Sequence, residues 1–330
     1  MVSLYLVSVE EGVGKTAIAA GVARRLLGDG KKAGFLKPVI GQEKPEGAER
    51  DAGFIKQVLA LAEPVDSLSP RMSAEKSLAD RIREAYIEVS QNKDVILVEG
   101  RCGRSPQESL SQAAYELAKA LKAKVIVVEA YKQGVAPPEF VDSYQGFGEN
   151  LLGLILNKVP KSQLRRVCDE LTSRFGAGEL PILGVLPEDR ALFTLTVGEL
   201  ASAIQGEILN NAEKGVELVE NLMVGAMAVD SGLEYFGRKA GKAVVVRADR
   251  PDMQMAALET STKCLVLTGG AAPLDYVRGK AEEKGIPLIL TRSDTATAVQ
   301  RIEEALDKAR FGQEKKLAKL AEILDKNLDF

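Results

Sequence analysis

The segment of residues 8–16 restricts the possible folds of this chain more than any other, because it is a glycine-containing turn that ends in Gly-Lys-Thr. An apolar run at residues 4–7 precedes it, and a helical pattern that includes Ile18, Val22 and Leu26 follows it. A strand, a glycine-containing turn, Gly-Lys-Thr and a helix in this order form a phosphate-binding loop, or P-loop. The segment therefore predicts an α/β domain with a phosphate site.

The backbone of this loop is the predicted nucleotide site. N–H groups of a P-loop and of the helix that follows face an anion. Lys15 is expected to reach the β- and γ-phosphates, and the Thr16 hydroxyl to hold Mg²⁺. The first glycine of the strict pattern is replaced by Val9, and the alternative is a strand-to-helix turn without a ligand. The nucleotide-binding residues are predicted to be Glu11, Gly12, Val13, Gly14, Lys15, Thr16 and Ala17.

Composition excludes several classes of function. The chain has no histidine, which excludes His-based triads, bases and metal sites. Its net charge of -3 gives no support for a nucleic-acid partner. The three cysteines, Cys102, Cys168 and Cys264, are far apart and predict reduced thiols. The N-terminus enters a strand directly and no apolar run is long enough to cross a bilayer, so we expect a cytoplasmic protein without a membrane partner.

Strands and helices alternate along the first part of the chain. Apolar runs predict strands at residues 4–9, 33–36, 95–99, 124–130, 151–156 and 182–185. Helical periodicity lies between them, at residues 51–61, 74–90, 112–121 and 163–175. This alternation is typical of a mostly parallel sheet covered by helices on both faces. Such sheets bind ligands at the carboxyl ends of their strands, the edge where the P-loop lies.

A second, smaller α/β unit is predicted beyond residue 190. Residues 191–199 have weak periodicity and are interpreted as a linker. Strands are then predicted at 206–209, 242–246, 264–267 and 287–290, with helices at 252–258, 275–284 and 294–309. The final helical segment, 314–326, has an apolar stripe that we expect to pack on the second unit or on a partner subunit. The stripe comprises Leu317, Leu320, Ala321 and Leu324.

Polar residues follow predicted strands at the same edge as the P-loop. Lys37 is either a second phosphate-contacting cation or a solvated lysine. Asp51 either caps a helix or binds Mg²⁺, while Glu99 needs a cationic or metal partner if it is buried. Asn157 either contacts adenine or forms a turn, and Val159-Pro160 after Lys158 disfavours a guanine nucleotide.

Two loops of the second unit also carry polar residues after predicted strands. One is the segment Arg247-Ala248-Asp249-Arg250, whose charges we expect to form structural salt bridges with the other loop. That other loop is Thr268-Gly269-Gly270. Its glycines form either a backbone anion site or, as we prefer, a tight turn.

The motifs of the first part together resemble dethiobiotin synthetase over about residues 1–190. Residues 11–16, 36–39, 51–52, 98–100 and 156–158 carry the resemblance in order and spacing. It implies an ATP-dependent P-loop NTPase domain in which Lys15 and Lys37 contact phosphate and substrate. It also implies that Thr16, Asp51 and Glu99 surround Mg²⁺ and that Asn157 contacts adenine. Arg101 and Arg104 stand where that family is glycine-rich, which is compatible with an anionic ligand.

The second part resembles a DRTGG domain through residues 249–253, 256–258 and 267–270. Joined to the first part, it resembles the N-terminal regulatory region of long phosphotransacetylases. Residues 181–187 fit that group and the cobyrinic acid amidases. The resemblance implies a P-loop domain at 1–190, a DRTGG domain at 191–310 and a C-terminal helix at 311–330. Because the chain ends at Phe330, we expect no acetyltransferase activity from it alone.

Three functions remain open at this point. The leading one is an ATP- and Mg²⁺-binding regulatory protein that senses a nucleotide or small anionic metabolite and controls a partner such as an acyl-phosphate enzyme. The second is an ATP-dependent ligase or amidase that transfers a phosphoryl group to a small carboxylate or carbamate. The third is a scaffold with a degenerate P-loop, which Val9 alone supports. A homodimer or higher oligomer is expected from the DRTGG resemblance and from the C-terminal apolar stripe.

Overall fold

The chain folds into two compact units in a computed structural model. The first unit is Met1–Asp189 together with Phe311–Phe330, and the second is Arg190–Arg310. The structure describes residues 1–40, 48–72, 78–100, 112–133, 144–175, 180–226, 232–307, 311 and 315–328. None of the helices within these ranges is both long and apolar enough to cross a membrane.

The first unit is built on a parallel six-stranded sheet in the order β2-β5-β1-β6-β7-β8. Its strands, with the short pair β3 and β4, are β1 (Val2–Val7), β2 (Ala33–Leu36), β3 (Val39–Ile40), β4 (Arg71–Met72), β5 (Val95–Glu99), β6 (Lys124–Ala130), β7 (Leu151–Val159) and β8 (Ile182–Pro187). Most residues of the central strands are buried, as expected for a sheet covered on both faces.

Helices connect these parallel strands. They are α1 (Lys15–Gly28), α2 (Ala48–Leu59), α3 (Val65–Leu68), α4 (Leu78–Ser90), α5 (Gln112–Leu121) and α6 (Leu164–Phe175). The predicted α/β class with a mostly parallel P-loop-type sheet is confirmed. Helix α2 begins three residues before Asp51, so Asp51 lies in the first turn and does not cap the helix.

The second unit has its own sheet, in the order β10-β15-β14-β13-β12, with only the β10–β15 pair antiparallel. The strands of the unit, including the separate short pair β9 and β11, are β9 (Leu195–Thr196), β10 (Glu207–Ile208), β11 (Leu218–Val219), β12 (Asn221–Gly225), β13 (Lys242–Arg247), β14 (Thr262–Thr268) and β15 (Leu288–Leu290). Its helices are α7 (Val197–Ala203), α8 (Gly232–Gly237), α9 (Pro251–Leu258), α10 (Asp275–Lys284) and α11 (Thr295–Asp307).

Alternating strand residues of this sheet enter two separate cores. Val244 and Leu265 pack in one core with residues of α8, α9 and α10, whereas Val245 and Val266 pack in the other with residues of α7 and α11. Strand side chains point alternately to opposite faces, so the near-continuous apolar runs are explained by burial on both faces.

The linker prediction for residues 191–199 is wrong. This segment contains β9 and the start of α7, and its helix has a capping box. The Thr196 hydroxyl accepts from Glu199 N at 3.1 Å, and the Glu199 carboxylate accepts from Thr196 N at 2.9 Å. The Thr-x-x-Glu spacing in the sequence indicates the start of a helix, although the apolar periodicity of the segment is weak.

The last helix, α12 (Lys315–Asn327), packs on the first unit. Leu320 and Leu324 are buried over α1, where a Cβ on Gly21 would lie 2.0 Å from Leu324 Cδ1. Leu328 forms an isolated β-bridge with Gly184 of β8. The expectation that the apolar stripe packs on the second unit or on a partner subunit is therefore wrong, and the stripe gives no support for a homodimer.

Candidate functional site

The P-loop connects the end of β1 to the start of α1. Gly12 and Gly14 have φ angles of 72° and 101°, in the left-handed region that favours glycine. A side chain at Gly14 would also place its Cβ 2.4 Å from Asn157 Nδ2. The two glycines are thus required by the backbone path, and Gly14 is required by a close neighbour as well.

Lys15 lies along the loop that precedes it. It is 7% exposed, and its Nζ donates to Ser8 Oγ at 2.6 Å. Ser8 Oγ in turn donates to the Glu10 carbonyl oxygen at 2.6 Å. The predicted phosphate-contacting amine is therefore held at the loop itself.

A charged cluster lies beside the loop, formed by Thr16, Lys37, Asp51 and Glu99. Lys37 Nζ lies 2.6 Å from Asp51 Oδ2 and 2.6 Å from Glu99 Oε1. The Thr16 hydroxyl donates to Glu99, 3.0 Å from each carboxylate oxygen. The strand order explains why Thr16, Lys37 and Glu99 lie together. Strand β1 pairs in parallel with β5, and β5 with β2, so the carboxyl ends of the three strands lie at the same edge of the sheet.

The charges of this cluster compensate one another. Glu99 is 3% exposed, and Lys37 supplies the cationic partner that a buried carboxylate needs. Burial by itself lowers the pKa of Lys37, but the Glu99 and Asp51 carboxylates and their hydrogen bonds raise it above its ordinary value overall. Lys37 is thus held in its charged form.

The oxygen atoms of Thr16, Asp51 and Glu99 fit a magnesium ion. Mg²⁺ is bound in proteins by one or two carboxylates together with substrate phosphates and water. Within the described residues there is no group of three or more His, Cys, Asp or Glu that could hold a metal on its own. A metal at this site would therefore need the Thr16 hydroxyl and phosphate oxygens as well as the two carboxylates.

Asn157 and Lys158, on β7, contact the backbone of the loop. Asn157 Nδ2 donates to Val13 O at 2.8 Å, and Lys158 Nζ donates to Gly12 O at 2.7 Å. Asn157 Oδ1 accepts from Lys158 N at 2.9 Å. A side-chain amide has two hydrogens and two lone pairs, so these bonds leave one of each for a ligand. Burial lowers the pKa of Lys158.

Glu129 was missed by sequence reasoning. It lies on β6, is 3% exposed, and its Oε1 accepts from Val9 N at 3.0 Å. The buried Tyr144 hydroxyl donates to the same oxygen. An acidic residue directly after the apolar run Val125-Ile126-Val127-Val128 was the available signal, since an acid within a buried strand needs hydrogen-bond donors.

The two glycines after β14 form a turn. Gly269 N donates to Ser293 O at 2.9 Å and Gly270 N donates to Thr291 O at 3.0 Å, so neither N–H faces an anion. Among the described residues, Arg250 pairs with Asp252 and Arg247 with Asp249. Both pairs are local, within residues 247–252, and neither is the expected salt bridge with the segment Thr268-Gly269-Gly270.

A cavity of about 430 Å³ lies in the second unit at the carboxyl end of β15. It is lined by apolar residues such as Ile204 and Leu290 and by the charged residues Glu207 and Arg292. In the part of the chain that the structure describes, the exposed Arg292 guanidinium has no hydrogen bond or ion pair. The cavity thus presents a cation and a carboxylate beside mixed polar and apolar surface.

Some predicted features lie outside the described residues. They include most of the loop that precedes Asp51, at residues 41–47, and the segment Arg101–Ser105 with Cys102. Burial raises the pKa of the Cys264 thiol to about 12, and burial together with the Asp169 carboxylate raises that of Cys168, so both described thiols are held in the protonated form.

A protein-family model described as an AAA domain matches residues 2–194, more than half of the chain. The chain belongs to this family. A model described as a DRTGG domain matches residues 199–305. The AAA domain thus comprises the P-loop and the charged cluster, and the DRTGG domain comprises the second sheet. The expected pairing of a P-loop domain with a DRTGG domain is confirmed.

Curated relatives match both domains together. The phosphate acetyltransferase of Deinococcus radiodurans is 30% identical over 299 residues, which cover 83% of this chain and 42% of that protein. The chain spans about half the length of the curated relatives it matches, from 42% to 50% in the cases compared. The resemblance to the N-terminal region of phosphate acetyltransferases is therefore confirmed.

Two solved structures are similar at low identity. One contains the CBS and DRTGG domains of the regulatory region of Clostridium perfringens pyrophosphatase complexed with its activator diadenosine tetraphosphate; it is 17% identical, has a TM-score of 0.33, and covers 49% of this chain and 79% of that one. The other is the signal recognition particle receptor FtsY from Elizabethkingia anophelis in complex with GDP; it is 16% identical, has a TM-score of 0.41, and covers 57% of each chain.

Proposed function

We propose that the AAA domain binds ATP together with Mg²⁺ and that the chain acts as a regulatory module in the cytoplasm. The observation that carries the proposal is the charged cluster beside the P-loop, where Lys37 lies within hydrogen-bonding distance of Asp51 and Glu99, and Thr16 lies within that distance of Glu99. Lys15 of the loop and Lys37 of the cluster supply cations for the phosphates, and the two carboxylates of the cluster supply oxygen ligands for Mg²⁺.

Each residue has a defined task in this proposal. The backbone N–H groups of residues 11–17 surround the phosphates, and Lys15 contacts the β- and γ-phosphates. Thr16, Asp51 and Glu99 hold Mg²⁺, which when bound neutralises phosphate charge. Lys37 balances the two carboxylates before binding and contacts phosphate afterwards. Asn157, whose amide keeps one free hydrogen and one free lone pair, contacts adenine.

The regulatory part of the proposal rests on the joined domains. The curated relatives that match both the AAA and DRTGG domains are phosphate acetyltransferases, and the matched part is about half of their length. We infer that ATP binding here controls an enzyme of acyl-phosphate chemistry, either in the same polypeptide or as a partner.

Calorimetric titration with ATP and Mg²⁺, followed by an assay of ADP release in the same sample, tests this function. Binding without turnover supports the regulatory module. ADP release that depends on a small carboxylic acid, and is lost in Lys37→Ala, would instead support the ligase or amidase function. Wild-type protein that binds no ATP would contradict both and leave a scaffold.

The cavity of the second unit favours a second ligand, a small anionic metabolite. Arg292 has no described partner there, and an arginine fork suits a phosphate or carboxylate. Titration of the Lys15→Ala protein with acetyl phosphate or AMP separates this site from the P-loop. When each arginine substitution is added to that protein, we expect Arg292→Ala to abolish binding and Arg278→Ala to keep it. Arg278 is the control because it is an exposed arginine paired with Glu282. Equal binding by both variants would contradict the site.

A further inference from the structure

Glu129 is a buried carboxylate that the proposed nucleotide chemistry does not use. It is the second-last residue of β6, which pairs with β1, so it lies next to the point where the P-loop begins. Its side chain is 3% exposed. A buried carboxylate is costly unless donors compensate it, and both of the donors described below are directed at one oxygen.

The two donors come from different segments. Val9 N, the first backbone amide of the P-loop pattern, donates to Glu129 Oε1 at 3.0 Å. The hydroxyl of Tyr144, a fully buried residue, donates to the same atom. Burial raises the pKa of Glu129 and the nearby Glu10 acts in the same direction, while these two hydrogen bonds and Lys15 lower it; the overall shift is upward.

Val9 is the position where this chain departs from the strict P-loop pattern, which has glycine there. In this chain the start of the loop is fixed by a side-chain acceptor on the neighbouring strand. The far side of the loop is fixed by Asn157 and Lys158, which donate to Val13 O and Gly12 O. The loop backbone is therefore held from β6 and from β7 before any ligand binds.

We propose that Glu129 is a positioning residue for nucleotide binding, which fixes the P-loop through the Val9 amide so that its N–H groups already face the phosphates. Donors that are ordered before binding cost less conformational entropy when the ligand arrives. The proposal rests on the proposed function, since it assumes that the ligand of the loop is a nucleotide.

Three substitutions separate the possible contributions of Glu129. Glu129→Gln keeps an oxygen that can accept from Val9 N and from Tyr144, and it removes the charge. Glu129→Ala removes the acceptor. Glu116→Ala is the matched control, because Glu116 is an exposed carboxylate on α5 of the same unit.

Two measurements on the full-length chain test the proposal. Hydrogen exchange without nucleotide measures the exchange rate of the Val9 amide. Calorimetry with ATP and Mg²⁺, at a temperature well below the unfolding temperature, measures the dissociation constant of ATP. We expect Glu129→Ala to exchange faster at Val9 and to bind ATP about tenfold more weakly, since the acceptor that holds the Val9 amide is lost. Glu129→Gln and Glu116→Ala are expected to stay within about twofold of wild type.

The outcomes are distinguishable. If Glu129→Ala keeps the wild-type ATP affinity and only its unfolding temperature falls, Glu129 is merely structural and the proposal is overturned. If Glu129→Gln is as impaired as Glu129→Ala, the charge and not the acceptor matters, which also overturns it. If wild-type protein binds no ATP, the proposed function fails, and exchange at Val9 then decides alone whether Glu129 fixes the loop.

Discussion

At the scale of single residues, Lys37 determines the charge balance of the site. Its amine lies 2.6 Å from a carboxylate oxygen of both Asp51 and Glu99. Removing the amine leaves two carboxylates close together, one of them almost fully buried. We therefore expect Lys37→Met to lower the free energy of unfolding of the first unit by about 3 kcal/mol.

An exposed pair in the same unit provides the control for this prediction. Lys326 lies 2.8 Å from Glu322 Oε1, and the two side chains are 69% and 48% exposed. Lys326→Met is expected to change the free energy of unfolding by less than about 1 kcal/mol. Denaturant unfolding of both variants measures the difference. Equal losses would show that burial of the Lys37 cluster has no energetic weight.

The same amine predicts a dependence on alkaline pH. The pKa of Lys37 is raised in the folded state above its ordinary value of 10.5. Its stabilising contribution is therefore complete below about pH 10.5 and is lost as the pH rises through the folded pKa. Thermal unfolding at several pH values from about 9 to 12 should show the wild-type advantage over Lys37→Met shrinking with rising pH. An advantage that is constant over this range would contradict the ion-pair assignment.

Gly14 is a P-loop residue whose backbone conformation and surroundings both exclude a side chain. Its φ is 101°, and a Cβ there would lie 2.4 Å from Asn157 Nδ2. Gly14→Ala should cost about 1–2 kcal/mol of stability and weaken ATP binding by about tenfold or more. Gly28→Ala, at the other end of α1 where a Cβ meets nothing within 4 Å, should be neutral or slightly stabilising. Calorimetry and thermal unfolding of the two variants test this, and similar behaviour would refute it.

At the scale of elements, apolar periodicity predicted the strands of both sheets that are long and buried. It did not predict β9 and α7, because both are short. The buried face of the seven-residue helix α7, Val197, Leu200 and Ala201, covers too few turns to show a repeat, and its start is marked by the Thr196–Glu199 capping box. Apolar periodicity also gave no indication of β12, an edge strand that is half-buried over much of its length. Periodicity reports how strongly an element is buried, so lightly buried elements escape it.

The C-terminal helix shows what an apolar stripe leaves open. The stripe predicted the helix α12 but not the surface on which it packs. That surface is α1 at Gly21, where the absence of a side chain lets Leu324 approach closely. Leu324→Ala should lower the unfolding free energy of the first unit by about 2–4 kcal/mol and leave the second unit unchanged. Ile87→Ala, at a position 62% exposed in the same unit, should have little effect. Hydrogen exchange in the two units distinguishes them, and a loss confined to the second unit would contradict this packing.

At the scale of the whole molecule, the sequence predicted which residues lie at the carboxyl edge of the sheet, but not which of their side chains contact one another. Parallel strands β2, β5 and β1 bring Lys37, Glu99 and Thr16 to one edge, as the order of strands along the chain suggested. The pairing of Lys37 with both carboxylates depends on side-chain distances that no spacing encodes. Glu129 was missed for the same reason, because its partners Val9 and Tyr144 are distant in sequence.

Calorimetric titration of the wild-type chain and of Lys15→Ala with ATP and Mg²⁺ is the decisive test of nucleotide binding at the P-loop. We predict one ATP bound per AAA domain in the wild type and binding that is weakened by about tenfold or more in Lys15→Ala, because a charge-assisted contact to phosphate is lost. Wild-type protein that binds no ATP, or a variant that binds it as tightly as the wild type, would contradict an ATP site at this loop.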